Sequence, residues 1–151
     1  MKKVISLVTL VMAIMLAFPA KAITTGSIEG EYIGKLTYVY MNGEKTPSDE
    51  AVITDVEDDG GSYSLYVTGL QIGKMPGTID INASNLAINT GAFSGNCSVT
   101  LTIGSSPSVF PGTITGSYDS ATGKLTYTVD CDAKYLSIIN FKTKVTFEGY
   151  K

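Results

Sequence analysis

A chain of 151 residues with eleven lysines, fourteen carboxylates and no arginine, histidine or tryptophan is already narrowed in what it can do. Without arginine it lacks the planar fork that grips phosphate at two points. Without histidine it lacks the usual base at neutral pH and the commonest zinc ligand. The net charge of −3 leaves no excess of positive side chains, which speaks against nucleic acid or an anionic membrane as partner.

Residues 1–22 predict a removable signal peptide. Met1-Lys2-Lys3 is a short positive start, Val4 to Phe18 is an almost unbroken apolar run, and Pro19-Ala20-Lys21-Ala22 supplies the small-x-small cleavage pattern. That run is too short and wrongly flanked for a membrane span, and no later window approaches the roughly 20 apolar residues a span needs. The mature chain then begins near Ile23 and forms one domain, 23–151, in which eight lysines face the fourteen carboxylates. No cysteine follows the cleavage point, so the expectation is a periplasmic or secreted protein without a lipid anchor. A domain of this size buries about two-thirds of its unfolded surface and needs no metal to fold. No cofactor is implied.

From Gly30 onward the apolar residues recur with period two, the signature of strands. In the first strand, Gly30–Met41, the residues Tyr32, Gly34, Leu36, Tyr38 and Tyr40 share one face by parity. Asn42-Gly43 then signals a turn. Strands follow at Ala51–Glu57 and Ser62–Thr68 across Asp58-Asp59-Gly60-Gly61, then at Thr78–Asn82 after the breaker run Gly73–Gly77. Leu86–Thr90 either continues that strand or stands alone. Cys97–Ile103 alternates cleanly, a loop holds Pro107 and Pro111, and Thr113–Tyr118, Lys124–Asp132 and Lys142–Gly149 complete the set. Ala133–Asn140 has room for one helical turn at most. Eight or so short strands with turn signals every ten residues describe an all-β barrel or sandwich.

Three places resemble the calycin-like β-barrel domains of exported Bacteroidetes proteins. They are Gly30-Glu31-Tyr32-Ile33-Gly34-Lys35-Leu36-Thr37, the run from Ser62-Tyr63-Ser64-Leu65 through Gly69-Leu70 to Met75-Pro76-Gly77-Thr78-Ile79, and Val145-Thr146-Phe147-Glu148-Gly149. The resemblance implies a single antiparallel eight-stranded barrel of the calycin or lipocalin shape, whose relatives mostly hold a small ligand inside. It carries no activity over to particular residues. Closing the first strand on the last also removes exposed edges, a physical reason to favour a barrel. The alternative is an immunoglobulin-like β-sandwich, which lacks its usual buried tryptophan here.

The candidate ligand-binding set is Tyr32, Leu36, Tyr38, Tyr40, Tyr63 and Tyr127, all at inward-type positions. Such rings offer apolar walls with hydroxyls to orient a small apolar or aromatic ligand, and equally they can fill a core or close a mouth. The stretch Asp55-Val56-Glu57-Asp58-Asp59-Gly60 starts like a calcium loop, but Tyr66 stands where the bidentate glutamate belongs, so it reads as an acidic turn. Export favours a disulfide between Cys97 and Cys131. A strict meander, however, puts one strand between them and sets them at opposite ends of parallel strands. No serine elbow exists, no histidine serves a nucleophile, and Glu29, Glu31, Asp130 and Asp132 sit at exposed-face parity, so binding is expected rather than catalysis. The competing expectation is an envelope protein partner, met through the loops Asn42–Asp49 and Gly104–Pro111 of a filled barrel.

Overall fold

The computed structural model describes residues 27–151, so the predicted signal peptide lies outside the described residues. The period-two segments become ten strands. They are β1 (Gly30–Met41), β2 (Glu44–Lys45), β3 (Val52–Asp58), β4 (Tyr63–Leu70), β5 (Thr78–Leu86), β6 (Ile88–Asn89), β7 (Ala92–Ile103), β8 (Ser106–Asp119), β9 (Lys124–Tyr135) and β10 (Ile139–Tyr150). Eight of them form an antiparallel ring in the order β1-β3-β4-β5-β7-β8-β9-β10, and β10 pairs back onto β1. The two-residue strands β2 and β6 are short additions to β1 and β7. The closing ladder runs from Ile33↔Tyr150 to Met41↔Thr143, which makes the fold a closed barrel and removes the sandwich alternative.

Two loop expectations need correction. Gly104–Pro111 is not a loop: β8 begins at Ser106 and carries both prolines. They are tolerated because β8 pairs with β9 only from Thr113↔Asp130 onward, so around Pro107 and Pro111 one flank of the strand has no ladder to break. Ala133–Asn140 forms no helical turn either. It is a tight hairpin in which the Ile138 N–H donates to the Tyr135 carbonyl at 3.2 Å. Leu136 and Ser137 take φ of 53° and 60° there, the mirror-image turn geometry that Asn-Gly fills without strain. Leu136 gains no burial in exchange, being 69% exposed.

One end of the barrel is shut. Ile28 is buried, the Tyr32 hydroxyl donates to its carbonyl, and Tyr118 donates to the Ser27 carbonyl at 3.3 Å. The Lys151 ammonium donates to the carbonyls of Ser27 and Glu29 and lies over the Tyr32 and Tyr118 rings at 5.6 and 5.4 Å. The turns β1–β2, β4–β5, β7–β8 and β9–β10 gather at the other end.

The closing seam depends on a missing side chain. Gly34 pairs with Gly149, and a Cβ on Gly34 would overlap the Glu148 carbonyl oxygen and the Gly149 Cα. Those are backbone atoms of the partner strand and cannot swing aside. Gly34→Ala is therefore expected to cost about 2–3 kcal/mol in urea unfolding, against less than about 0.5 kcal/mol for the outward Ser98→Ala. In the other direction, the pair Leu136→Asn and Ser137→Gly relieves the strained turn and should raise stability by about 1 kcal/mol, measured the same way.

Candidate functional site

The six expected ligand-binding residues do not share one surface. Tyr32 and Tyr127 are inward and fully buried, at 0% and 2% exposure. Tyr127 stacks on Phe147 with ring centroids 4.9 Å apart, and its hydroxyl shares a 2.8 Å hydrogen bond with Thr54, itself completely buried. Tyr32 meets Tyr118 edge-on at 6.1 Å. Burial pushes both phenols well above their ordinary range; Tyr118 adds to the effect on Tyr32, and the Thr54 bond opposes it on Tyr127. These rings pack against protein atoms. Tyr63 is half-buried against the edge of the same core.

Tyr38 and Tyr40 face outward, which corrects the shared face expected from parity. The register passes from Leu36↔Phe147 directly to Tyr38↔Thr146, so Thr37 is an extra residue in β1, a β-bulge. One inserted residue reverses every side chain beyond it. Val39 then points inward at 2% exposure, while Tyr38 and Tyr40 border a surface hollow of about 410 Å³ with Asp130, Lys142 and Lys144.

Leu36, before the bulge, leads to the site that parity alone does not reveal. β3 and β4 pair only from Asp55↔Tyr66 to Asp58↔Tyr63. Above that point Val52–Thr54 pair with β1 alone, and the upper part of β4 pairs with β5 alone. The cause is a second bulge: the β4–β5 register jumps from Val67↔Ile81 to Leu70↔Ile79. Gly69 takes a φ of 71° there, and its N–H donates to the Asp80 carboxylate at 2.7 Å. That bond satisfies a donor which has left the ladder and fixes the bend.

The result is a lateral opening of about 240 Å³ in the barrel wall. Leu36, Val52, Val67 and Leu70 line it, with Glu50 and Gln71 among its polar residues. All four apolar side chains belong to the core. A glycine inside an otherwise apolar strand is the sequence signal for such a bulge, and Gly69 between Val67 and Leu70 carried it. Glu50 is the only titratable group among the lining residues, so the opening lacks the paired acid and base of a hydrolytic site.

The cysteines also sit differently from the meander estimate. Cys97 is opposite Gly112, and Thr113 is opposite Asp130, so Cys97, Gly112 and Cys131 stand abreast rather than at opposite ends. Both thiols are buried and unbridged in this structure. Two strand spacings, roughly 9–10 Å, separate their backbones, beyond the roughly 7 Å a disulfide spans. Burial pushes both thiols up to about 11, with Cys131 adding to the effect on Cys97, and Asp130 and Asp132 to that on Cys131.

The acidic stretch is a turn. Asp58 accepts the Gly60 N–H at 2.8 Å and Asp59 accepts the Ser64 hydroxyl. Among the described residues no three His, Cys, Asp or Glu side chains gather as a metal cluster, and no helix is long and apolar enough to cross a membrane.

The model of the calycin-like beta-barrel domain matches residues 28–150. The chain belongs to that family. No curated protein and no solved structure matches it. The calycin-like barrel fits a binding role in general.

The thiols make a pH prediction. Their ordinary value is 9.0, and in the fold they titrate near 11. The neutral form is favoured by folding, so their contribution is intact below pH 9 and is lost as pH rises through 11. Urea unfolding from pH 8 to 11 should show a steeper loss for the natural chain than for Cys97→Ala/Cys131→Ala. Iodoacetamide at pH 8 should label neither thiol in the folded, unreduced protein and both after unfolding, read by mass spectrometry.

Proposed function

We propose that this is an exported binding protein that takes a small apolar or aromatic ligand into the opening between β3 and β4. The observation that supports the reading is that the core residues Leu36, Val52, Val67 and Leu70 together line the gap where β3 and β4 part. The volume of about 240 Å³ lies just below the roughly 300–1,000 Å³ of drug-sized pockets, which suits a small aromatic ligand of up to three rings or a short chain. Polar groups at the opening orient the ligand, and no catalytic pair is present to transform it. Leu36 is the one expected contact kept in this reading. Tyr32, Tyr63 and Tyr127 shape the barrel instead. We propose export on the signal-peptide reading of residues 1–22, to the periplasm or the outside of the cell.

A second reading, an envelope protein partner, draws support from the outward pair Tyr38 and Tyr40. Tyrosine is a favoured anchor at protein interfaces, and here two of them flank the Lys144–Asp130 ion pair at 3.5 Å.

N-phenyl-1-naphthylamine, an apolar fluorophore, separates the two. It should bind the natural chain with enhanced emission. Val52→Phe fills the opening and should weaken binding by about tenfold or more, while Tyr38→Ala/Tyr40→Ala leaves it unchanged, each variant checked for an intact thermal transition. If the tyrosine pair abolishes binding and Val52→Phe does not, the ligand sits on the outer face and the opening is the wrong site.

A further inference from the structure

The hairpin joining β9 to β10 carries the two most exposed large apolar side chains among the described residues, Ile138 at 84% and Leu136 at 69%. Ile139 beside them is 54% exposed. Tight turns are normally built of Gly, Asn, Asp or Ser. Here bulky apolar residues stand in their place, and Leu136 and Ser137 hold φ of 53° and 60° to form the turn. The fold gains nothing from this choice, since the side chains are not buried and the backbone is strained.

The base of the hairpin is held firmly, so the tip projects instead of folding back on the barrel. Asn42, in the β1–β2 turn, donates from Nδ2 to the Asn140 carbonyl at 2.7 Å and accepts the Lys142 N–H on Oδ1 at 2.9 Å. Its own backbone N–H donates to the Lys142 carbonyl at 2.8 Å. On the inner side of the base, Phe110 meets Tyr135 edge-on at 6.4 Å and Phe141 at 5.1 Å. Charge is segregated here as well. Ala133–Phe147 holds three lysines and no carboxylate, in a chain where carboxylates are in excess. Lys142 and Lys144 are matched across the ladder by Asp132 and Asp130 at 3.5 Å, whereas Lys134, next to the tip, has no such match among the described residues.

We propose that this tip inserts into the surface of a lipid bilayer, with Leu136, Ile138 and Ile139 among the acyl chains and Lys134 at the anionic headgroups. A protein pocket is the poorer fit. Interface anchors are mainly Trp, Tyr and Arg, with Leu and Ser under-represented, and this tip reads Leu-Ser-Ile-Ile. A bilayer asks only for apolar side chains at the end and an amphipathic or positive rim behind them, which Tyr135 and Lys134 supply. The net charge of the whole chain speaks against an anionic membrane, but attraction to headgroups is local. The carboxylate-free hairpin lets the molecule approach by this end. An exposed leucine in a strained turn is then explained, because Gly or Asn there would remove an inserting side chain. The contact is interfacial, involves no membrane span, and does not depend on the ligand proposed for the β3–β4 opening.

The test is co-sedimentation of the natural chain with vesicles of three parts phosphatidylcholine to one part phosphatidylglycerol, a readout that needs no variant to fold. Binding is expected. Leu136→Asn/Ser137→Gly, which relieves the turn, should weaken it by about tenfold although the variant folds more stably. Lys134→Ala should weaken it by about fivefold on these vesicles and leave binding to pure phosphatidylcholine as it was. The chain has no tryptophan, so Ile138→Trp places a single reporter at the tip and Ser120→Trp one in the exposed β8–β9 turn at the shut end. With vesicles, Ile138→Trp should shift its emission to the blue and be quenched by lipids brominated on their acyl chains, and Ser120→Trp should do neither. Absence of co-sedimentation would overturn the proposal, as would equal binding by the natural chain and Leu136→Asn/Ser137→Gly. A blue shift of Ile138→Trp that appears without lipid and grows with protein concentration would also overturn it, because a second copy would then cover the tip.

Discussion

The ladder between β1 and β10 is the constraint on which the rest depends. Once Ile33–Met41 and Thr143–Tyr150 pair, eight strands enclose a fixed cross-section, and a barrel of that number is only wide enough for side chains or one small ligand. The side chains here settle the matter in the middle of the barrel. Tyr127, Phe147, Leu125, Ile114 and Leu65 are essentially without solvent contact, and the Tyr127–Phe147 stack is worth about 0.5–1.5 kcal/mol beyond its buried area. Thr54 fits this apolar centre because Tyr127 meets its hydroxyl. Loss of either partner leaves a buried polar atom unpaired, at about 1–3 kcal/mol. Space for anything else has to come from the wall.

Two bulges decide what the wall offers. In a strand an extra residue is a switch, since side chains alternate with period two. The bulge at Thr37 turns Tyr38 and Tyr40 out of the barrel and brings Val39 in. The bulge at Thr68-Gly69 bends β4 from β3 and is pinned by Asp80. Each acts over only a few residues, yet together they convert a uniform meander into one with an aromatic strip outside and an apolar opening at the side.

This also explains what could be read from the sequence. The strand set, their order and the closing of first on last were legible, because alternation and turn residues such as Asn42-Gly43 and Gly60-Gly61 act locally. The inward places of Tyr32, Leu36 and Tyr127 were legible for the same reason. Parity failed beyond Leu36 because a bulge is a property of two strands in register, and β1 alone carries no mark of it. Pro107 and Pro111 suggested a loop, although a strand with one free flank accepts them. The cysteines looked far apart because strand lengths were underestimated. Extending β7 back to Ala92 and β8 back to Ser106 fixes the register that sets Cys97 level with Cys131.

The two ends of the barrel divide the work. At the shut end, Ile28, Tyr32, Tyr118 and Lys151 fill the mouth with edge-on rings, carbonyl hydrogen bonds and an ammonium over two aromatic faces. Those contacts hold β1, β8 and the end of the chain together. The opening, the outward tyrosines and the strained Leu136-Ser137 turn all lie toward the other end. Sealing one end stabilises the ring where β1, β3 and β10 are fully paired. It also lets β3 and β4 part at the other without unravelling the sheet, because β1 and β5 still hold their outer flanks. A gap flanked by intact ladders exposes apolar residues at the cost of a few backbone bonds rather than the fold, and that is what makes a lateral site in a filled barrel physically affordable.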